Sequence, residues 1–138
     1  MSNPTKKIIK GGSFLIDEIT TDYVFTSEDY TDEQKMIAKT TEDFVTNEVL
    51  PQVEKLEEHQ FDITVRLLRE AGDLGLLGLD IPEEYGGIAV DKISSALVSE
   101  KMSVSGGFSI SHGVQIGIGS LPIVLFGNEE QKAKYLPS

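Results

Sequence analysis

The sequence predicts an all-α protein, an orthogonal or up-down bundle of about five helices around one apolar central helix. Three observations favour this fold class. Residues 108–127 contain no formally charged residue, although charged residues make up 25% of the chain. Four other segments open with a capping signal and continue with apolar residues at helical spacing. No segment reads convincingly as a strand, and the chain has no internal repeat.

Composition limits the classes of function. A chain of 138 residues is long enough for one domain with its own core. Its net charge of −11, from 23 acidic and 12 basic residues, disfavours nucleic acid as a partner, because phosphate binding needs the opposite sign. With no cysteine and two histidines, the chain has no thiol nucleophile, disulfide, thiolate metal site or histidine-rich metal site.

Residues 1–29 are predicted to form an N-terminal arm, and residues 30–138 a helical domain. The apolar side chains Phe14, Leu15, Ile16, Val24 and Phe25 suggest that the arm lies on the domain surface, although a poorly ordered terminus is the alternative. No apolar core follows the N-terminal lysines, so the segment is not a secretory signal, and a cytoplasmic protein is expected.

The first helix is predicted over residues 31–58. Thr31 and Gln34 form a capping-box pattern at its start, and Pro51 should bend it. Acidic residues crowd one face, where a solvated surface is favoured over a site: Glu42, Asp43, Glu48, Glu54, Glu57 and Glu58.

Three further helices follow from capping signals. Asp62 is expected to cap the second helix, and Gly75 and Gly78 are expected to end it. Asp91 is expected to cap the third helix. Asn128 opens the last, short helix, with acids at its start. Glu83 and Glu84 lie in the loop after the second helix. The side chains of adjacent residues rarely point to the same place, so a catalytic pair of carboxylates is not expected there.

The apolar stretch at residues 108–127 is predicted to be a helix buried on most faces, which Pro122 bends or splits. It is not expected to cross a membrane, because Gln115, Ser120 and Pro122 interrupt it. Gly113 and Gly117 lie four residues apart, on one helical face. Two interpretations stay open: tight packing of a neighbouring helix, or a wall left open for a slender apolar ligand.

His112 is the histidine of this apolar stretch. A Ser–His pair with Ser109, Ser111 or Ser120 would need a carboxylate behind the histidine, and the stretch contains none. A structural, hydrogen-bonded His112 is therefore favoured over a catalytic one.

An ordered set of motifs resembles the N-terminal helical domain of the acyl-CoA dehydrogenase family. The motifs are LREAGDLGLLGL at residues 68–79, IPEEYGG at 81–87, the apolar helix through Gly119, Pro122 and Phe126-Gly127, and EQKAKYLP at 130–137. In the arm, ITTDYVF at residues 19–25 is similar to the very-long-chain branch.

The resemblance implies an FAD enzyme that oxidises the α and β carbons of fatty acyl-CoA, as in β-oxidation. A glutamate takes the α proton, the flavin accepts the β hydride, and an electron-transfer flavoprotein receives the electrons. Family members continue into a β domain with most flavin contacts and a helical bundle with the glutamate and the oligomer interface. We therefore expect an N-terminal fragment of a homo-oligomeric enzyme, inactive alone, with no catalytic residue of its own.

What carries over by resemblance is part of the acyl-chain pocket: Gln115, Ile116, Gly119, Ser120 and Ile123. Gly119 would leave depth for a long chain, while packing is the alternative role for each residue. Two other functions stay open, namely a superfamily relative with different flavin chemistry, such as an oxidase, decarboxylase or monooxygenase, and a free-standing helical interaction module.

Overall fold

The computed structural model describes residues 15–16 and 25–137, which fall into two compact units, Met1–Thr31 and Asp32–Ser138. In the first unit, a 3-10 turn spans Ser27–Asp29, and the rings of Phe25 and Tyr30 lie with their centroids 5.7 Å apart. Phe14 and Val24 of the predicted arm lie outside the described residues, so the position of the arm stays a prediction.

The second unit consists of five helical runs, and no strand occurs within residues 25–137, which confirms the all-α fold. Two of the runs contain a π segment that divides them. The α-helices are α1 (Asp32–Phe44), α2 (Val53–Glu57), α3 (Phe61–Asp73), α4 (Lys92–Met102), α5 (Gly107–Val114), α6 (Leu121–Phe126) and α7 (Glu129–Tyr135).

The first run extends from α1 through α2, and its α-helical pattern is interrupted in the middle. A π segment over Val45–Val49 is followed by a 3-10 turn over Leu50–Gln52, which contains Pro51. Proline has no N–H to donate to the carbonyl four residues back, so regular α-helix cannot continue through it. The interruption lies where the sequence predicts a bend.

The helix α3 ends in a Schellman motif. Gly75 adopts a left-handed backbone with φ of 79°, the N–H of Leu76 donates to the carbonyl of Ala71 at 2.9 Å, and that of Gly75 donates to Gly72 at 2.8 Å. The start differs from the prediction. Gln60 is the N-cap residue, without a side-chain cap, so Asp62 lies in the first turn, where its charge suits the helix dipole.

The loop from Gly78 to Val90 folds back on itself through backbone hydrogen bonds. The N–H groups of Ile88 and Val90 donate to the carbonyls of Gly78 and Leu79 at 3.0 and 2.8 Å. Gly87 packs so tightly that a Cβ there would lie 1.9 Å from the Ile81 carbonyl oxygen. Only glycine fits at this position.

Asp91 caps α4, as predicted. Its Oδ1 accepts hydrogen bonds from the N–H groups of Ile93 at 2.8 Å and Ser94 at 3.1 Å. The buried Gln34 of α1 also donates to both carboxylate oxygens at 3.2 Å. One carboxylate thereby starts α4 and joins it to α1, the helix against which α4 packs most extensively.

The hydrophobic core lies where the first run, α3, α4 and the start of α5 meet. The rings of Phe44 and Phe108 are 6.3 Å apart by centroid, in a tilted arrangement that aromatic pairs favour. The buried core residues are Phe44, Val45, Val49, Leu67, Ala71, Leu76, Leu79, Val98, Met102 and Phe108.

The apolar run from α5 to α6 is far less buried than predicted. Phe108, His112 and Ser120 are its buried residues, whereas Ile118 is 76% and Phe126 85% exposed. The expectation that it is buried on most faces is therefore wrong for this chain. The sequence pattern shows that the run is apolar, but it does not show how many other elements of the fold cover it.

By length and composition alone, the same run is the one described helix that could cross a bilayer. It spans Gly107–Phe126, 20 residues with a mean hydropathy of 1.4, and 22% of the apolar window is buried. Core helices of water-soluble proteins meet the same criteria, and Phe108 and His112 anchor this one in the core. The absence of a transmembrane segment stays a prediction.

Candidate functional site

A cleft of about 630 Å³ lies between α3, the loop that follows it, the second π segment and the end of α7. Apolar and polar side chains share its wall in similar numbers. The apolar residues are Val65, Leu68, Leu77, Ile81 and Leu136, and the polar ones are Arg69, Asp73, Tyr85, Gln115, Ser120 and Tyr135. Such a combination is typical of sites for small amphipathic ligands.

The structure brings two of the five predicted pocket residues to this cleft. Gln115 and Ser120 line it. Ile116 packs against the hydrophobic core, Gly119 is exposed, and Ile123 is partly buried and contacts Gly127. These three are not among the cleft residues, and the role of all five in binding stays a prediction.

The π segment over Gln115–Ser120 explains how one side of this run faces the domain throughout. In an α-helix, residues four apart drift around the axis by about 40° per step. A π turn rotates less per residue and so reduces the drift. Phe108, His112, Ile116 and Ser120, each four residues apart, therefore all point inward. We call these four residues the inward row.

Ser120 has a local structural task at the end of the π segment. Its hydroxyl donates to the carbonyl oxygen of Gln115 at 2.8 Å. That bond occupies the hydroxyl's only proton, so towards a ligand Ser120 can offer oxygen lone pairs alone. The side-chain amide of Gln115 is the group in this segment that can both donate to and accept from a ligand.

The glycines of the run are not sites of close packing. A Cβ at Gly113 or Gly117 would meet no atom of the described chain within 4 Å. Within the described residues no neighbouring helix packs against these two positions, so the tight-packing interpretation finds no partner there. A Cβ at Gly119 would lie 3.2 Å from the carbonyl oxygen of Val114 in the same run, so this glycine relieves crowding in the π segment.

His112 is structural, as the sequence favours. It is 1% exposed, and its Nε2 lies 2.9 Å from the carbonyl oxygen of Leu76. A carbonyl can only accept, so Nε2 carries the proton. Burial lowers the pKa of His112, and the bond to the Leu76 carbonyl opposes that shift in part. The imidazole is thus held neutral between α5 and the end of α3.

Tyr85 links the cleft to α7 by a contact that sequence reasoning missed. Its hydroxyl donates to Glu129 Oε2 at 2.6 Å, and that hydrogen bond raises the pKa of Tyr85 to about 12. The same bond lowers the pKa of Glu129. The two residues are 44 positions apart, so no local pattern could have paired them.

The acidic residues singled out in the sequence lie at the surface. The six acids from Glu42 to Glu58 are all exposed, and so are Glu83 and Glu84. Among the residues that the structure describes, no group of three or more His, Cys, Asp or Glu side chains could hold a metal ion. The solvated-face interpretation is confirmed.

Nearly the whole chain is similar to known proteins. The family model for the acyl-CoA dehydrogenase N-terminal domain matches residues 31–138. A probable acyl-CoA dehydrogenase of Bacillus subtilis is 60% identical over 137 residues, 99% of this chain and 23% of that protein. The mitochondrial isovaleryl-CoA dehydrogenase of Bos taurus is 34% identical over 108 residues, 77% of this chain and 25% of that protein.

A solved structure extends the likeness to three dimensions. The crystal structure of an acyl-CoA dehydrogenase from Bacillus anthracis, complexed with FAD, superimposes with a TM-score of 0.87 at 72% identity. The match covers 94% of this chain and 22% of that one. This chain therefore spans about a quarter of the length of the proteins that it matches.

Proposed function

Because the chain belongs to the acyl-CoA dehydrogenase family through residues 31–138, we propose that it forms part of the acyl-chain pocket of an FAD-dependent dehydrogenase. That enzyme oxidises the α and β carbons of fatty acyl-CoA in β-oxidation. The observation that carries the proposal is the cleft, because it receives Gln115 and Ser120 from the very segment that the family resemblance assigns to the acyl chain.

The cleft suits an acyl chain by its chemistry. Leu68, Leu77 and Leu136 offer apolar contact along its wall. Each methylene that leaves water for such a surface contributes about 0.8 kcal/mol. The amide of Gln115 can hydrogen-bond a polar group of the ligand. This part of the protein therefore binds and orients the substrate, whereas no described residue is assigned to proton transfer.

FAD does not fit the described residues on their own. Arg69 is the one cation of the cleft, and Asp73 lies beside it on the same helix, so a pyrophosphate would find little positive charge there. Bound FAD supplies the acceptor for the β hydride. We propose that other parts of the family chain provide most of its contacts, and the FAD complex of the Bacillus anthracis relative supports the cofactor assignment.

Two glycine variants test the pocket. In the protein expressed from its native reading frame, Gly119→Phe should shift the preferred acyl-CoA to a shorter chain. The phenyl ring would fill space beside Gln115. We would measure kcat/KM for acyl-CoAs of four to sixteen carbons. Gly119→Ala separates the strain of a Cβ against Val114 from the bulk of the ring.

Gly117→Phe is the matched control, because it makes the same substitution at a position with open space around it. It should leave the chain-length profile unchanged. An unchanged profile in Gly119→Phe would remove Gly119 from the pocket. A wild-type preference for short, branched substrates, as the name of the isovaleryl-CoA relative suggests, would overturn the long-chain assignment while leaving the family intact.

The electron acceptor distinguishes the dehydrogenase from its superfamily alternatives. We propose an electron-transfer flavoprotein as the acceptor and the cytoplasm as the location. After reduction by acyl-CoA, the enzyme should be reoxidised rapidly by that flavoprotein and slowly by oxygen, as stopped-flow absorbance of the flavin would record. Fast reoxidation by oxygen would instead favour an oxidase or monooxygenase.

A further inference from the structure

A hydrogen bond between Tyr85 and Glu129 joins two elements at the cleft. Tyr85 lines the cleft from the loop that follows α3, and Tyr135, Leu136 and Pro137 line it from the end of α7. The Tyr85 hydroxyl donates to Oε2 of Glu129, the first residue of α7, at 2.6 Å. One side-chain contact therefore connects two segments that both contribute to the wall of the cleft.

The loop is the fixed side of this contact. Tyr85 ends a 3-10 turn over Glu83–Tyr85, and its own N–H donates to the Pro82 carbonyl at 2.9 Å. The N–H of Gly87 donates to the same carbonyl at 3.2 Å, at the position where only glycine fits against Ile81. The backbone that carries the Tyr85 ring is thus held on both sides.

The helix α7 is the side that depends on the contact. None of its residues Glu129–Tyr135 is buried, and Leu136, directly after the helix, is 6% exposed. The capping box and the ion pair of Glu129 with Lys132 lie within the helix and its cap, so they do not hold it to the domain. A segment with little buried surface separates from its neighbours at a low cost in free energy. The hydrogen bond from Tyr85 therefore ties the start of α7, at the opposite end from Leu136.

Charge strengthens the contact. A hydrogen bond to an ionised acceptor is shorter and stronger than one between neutral groups. The bond raises the pKa of Tyr85 and lowers the pKa of Glu129, so at neutral pH the phenol keeps its proton and the carboxylate its charge. The Nζ of Lys132 lies 3.6 Å from Oε1 of Glu129, whereas Tyr85 uses Oε2. The two partners of Glu129 therefore do not compete.

We propose that Tyr85 is a positioning residue that fixes the width of the cleft by holding α7 through Glu129. The inference rests on the proposed function for the identity of the ligand, an acyl chain. When α7 moves away, Leu136 withdraws from the cleft wall, and a chain long enough to reach it loses apolar contact. A shorter chain keeps its contacts. Tyr85 therefore favours long acyl chains, and its hydroxyl takes no part in the chemical step.

Steady-state kinetics of the protein expressed from its native reading frame tests the proposal, with acyl-CoAs of four to sixteen carbons as substrates. Tyr85→Phe keeps the ring in the wall and removes the hydroxyl. Because Glu129 is largely exposed, KM for the sixteen-carbon substrate should rise by only about two- to fivefold. The KM for the four-carbon substrate and the kcat for both should match the wild type. A loss of folded enzyme would instead lower kcat equally for every substrate and leave KM unchanged.

Three further variants assign the effect to this hydrogen bond. Glu129→Ala should reproduce Tyr85→Phe, and the double variant should be no worse than either, because both changes remove the same bond. Glu129→Gln keeps an oxygen that accepts from the hydroxyl and should restore most of the wild-type KM. Glu130→Ala is the matched control, since Glu130 carries the same charge and lies exposed in the same first turn of α7. It should behave like the wild type.

Hydrogen exchange of the same proteins tests the contact without activity. The amides of α7 should exchange faster in Tyr85→Phe than in the wild type, and those of α4 should not. An unchanged rate in α7 would show that Tyr85 does not hold this helix.

The kinetic results that would overturn the inference are distinct from these. In Tyr85→Phe, an unchanged KM for the sixteen-carbon substrate, or an equal rise at four and sixteen carbons, would remove Tyr85 from control of the cleft. Equal effects of Glu129→Ala and Glu130→Ala would assign the change to net charge. A wild type that oxidises no acyl-CoA would overturn the proposed function, and hydrogen exchange would still decide whether Tyr85 holds α7.

Discussion

His112 couples the stability of the domain to pH through one buried imidazole. Burial lowers its pKa in the folded protein, so the unfolded chain binds a proton more readily. The contribution of neutral His112 to the free energy of unfolding should therefore be complete above pH ~6.5. It should decrease as the pH falls below that value. Urea unfolding at several pH values from 8 to 5 would measure the decrease.

Two histidine variants check that assignment. His112→Gln keeps a donor near the Leu76 carbonyl but cannot titrate, so its free energy of unfolding should depend less on pH than that of the wild type. His59→Asn removes the other histidine, at an exposed position with a positive φ that asparagine tolerates. It should keep the wild-type dependence. An unchanged pH dependence in His112→Gln would contradict the role of His112.

Gly87 shows how a single missing Cβ permits a close backbone approach. Gly87→Ala would force a Cβ into the Ile81 backbone, at 1.9 Å from its oxygen and 2.4 Å from its carbonyl carbon. We expect a loss of more than ~3 kcal/mol in the free energy of unfolding. Thermal or urea unfolding measures it.

The neighbouring glycine provides the control for that substitution. Gly86 has a φ of 85° and open space around its Cβ position. Gly86→Asn should therefore cost only about 1 kcal/mol, because asparagine tolerates the left-handed region. Equal losses in the two variants would show that the conformation of the loop matters and that the contact with Ile81 does not.

At the scale of elements, the Asp91 carboxylate connects α1 and α4 by hydrogen bonds. Asp91→Ala removes the N-cap of α4 and leaves the buried amide of Gln34 without this partner. Loss of a cap costs about 1 kcal/mol and loss of a buried partner about 1–3 kcal/mol. We expect a total loss of roughly 2–4 kcal/mol in urea unfolding.

A double-mutant cycle with Gln34→Ala separates these two effects, because the cap persists when only Gln34 is changed. Burial raises the pKa of Asp91, but hydrogen bonds from Gln34, Ser94 and Ile93 outweigh it and lower the pKa overall. The stabilisation by Asp91 is therefore present above pH ~4 and lost as the pH falls further. Additive losses in the cycle would contradict an energetic coupling between Gln34 of α1 and Asp91 of α4.

At the scale of the whole molecule, the net charge of −11 opposes compactness. Salt screens this repulsion, since the Debye length falls from about 30 Å at 0.01 M to about 10 Å at 0.1 M. The melting temperature should therefore rise with NaCl over this range. Glu48→Lys reverses the charge of an exposed residue of the first run. It should raise the melting temperature at low salt and reduce the effect of NaCl.

Sucrose at equal osmolality controls for the general effect of a cosolute, because it stabilises by exclusion from the surface and screens no charge. The wild type and Glu48→Lys should respond equally to sucrose. A melting temperature that is independent of NaCl in the wild type would mean that local ion pairs, such as Lys101 with Glu42, already balance the charge.

The sequence by itself determined the helical class, the residues that start and end several helices, and the family. Asp91 and Asn128 cap as predicted, and Gly75 ends α3, because caps and glycine turns depend on backbone groups within a few residues. The prediction that Asp62 caps α3 was wrong, because the helix begins slightly earlier and Asp62 lies in its first turn. An acid in the first turn and an acid at the N-cap give similar sequence patterns.

Only the tertiary structure decided which apolar surface is buried and which polar groups meet. It left Ile118 and Phe126 exposed on a run whose composition predicted burial. It also paired His112 with Leu76 and Tyr85 with Glu129, across 36 and 44 positions. The reason is physical: helical spacing and capping arise from contacts within one or two turns, whereas burial and long-range hydrogen bonds depend on which elements the folded chain sets side by side.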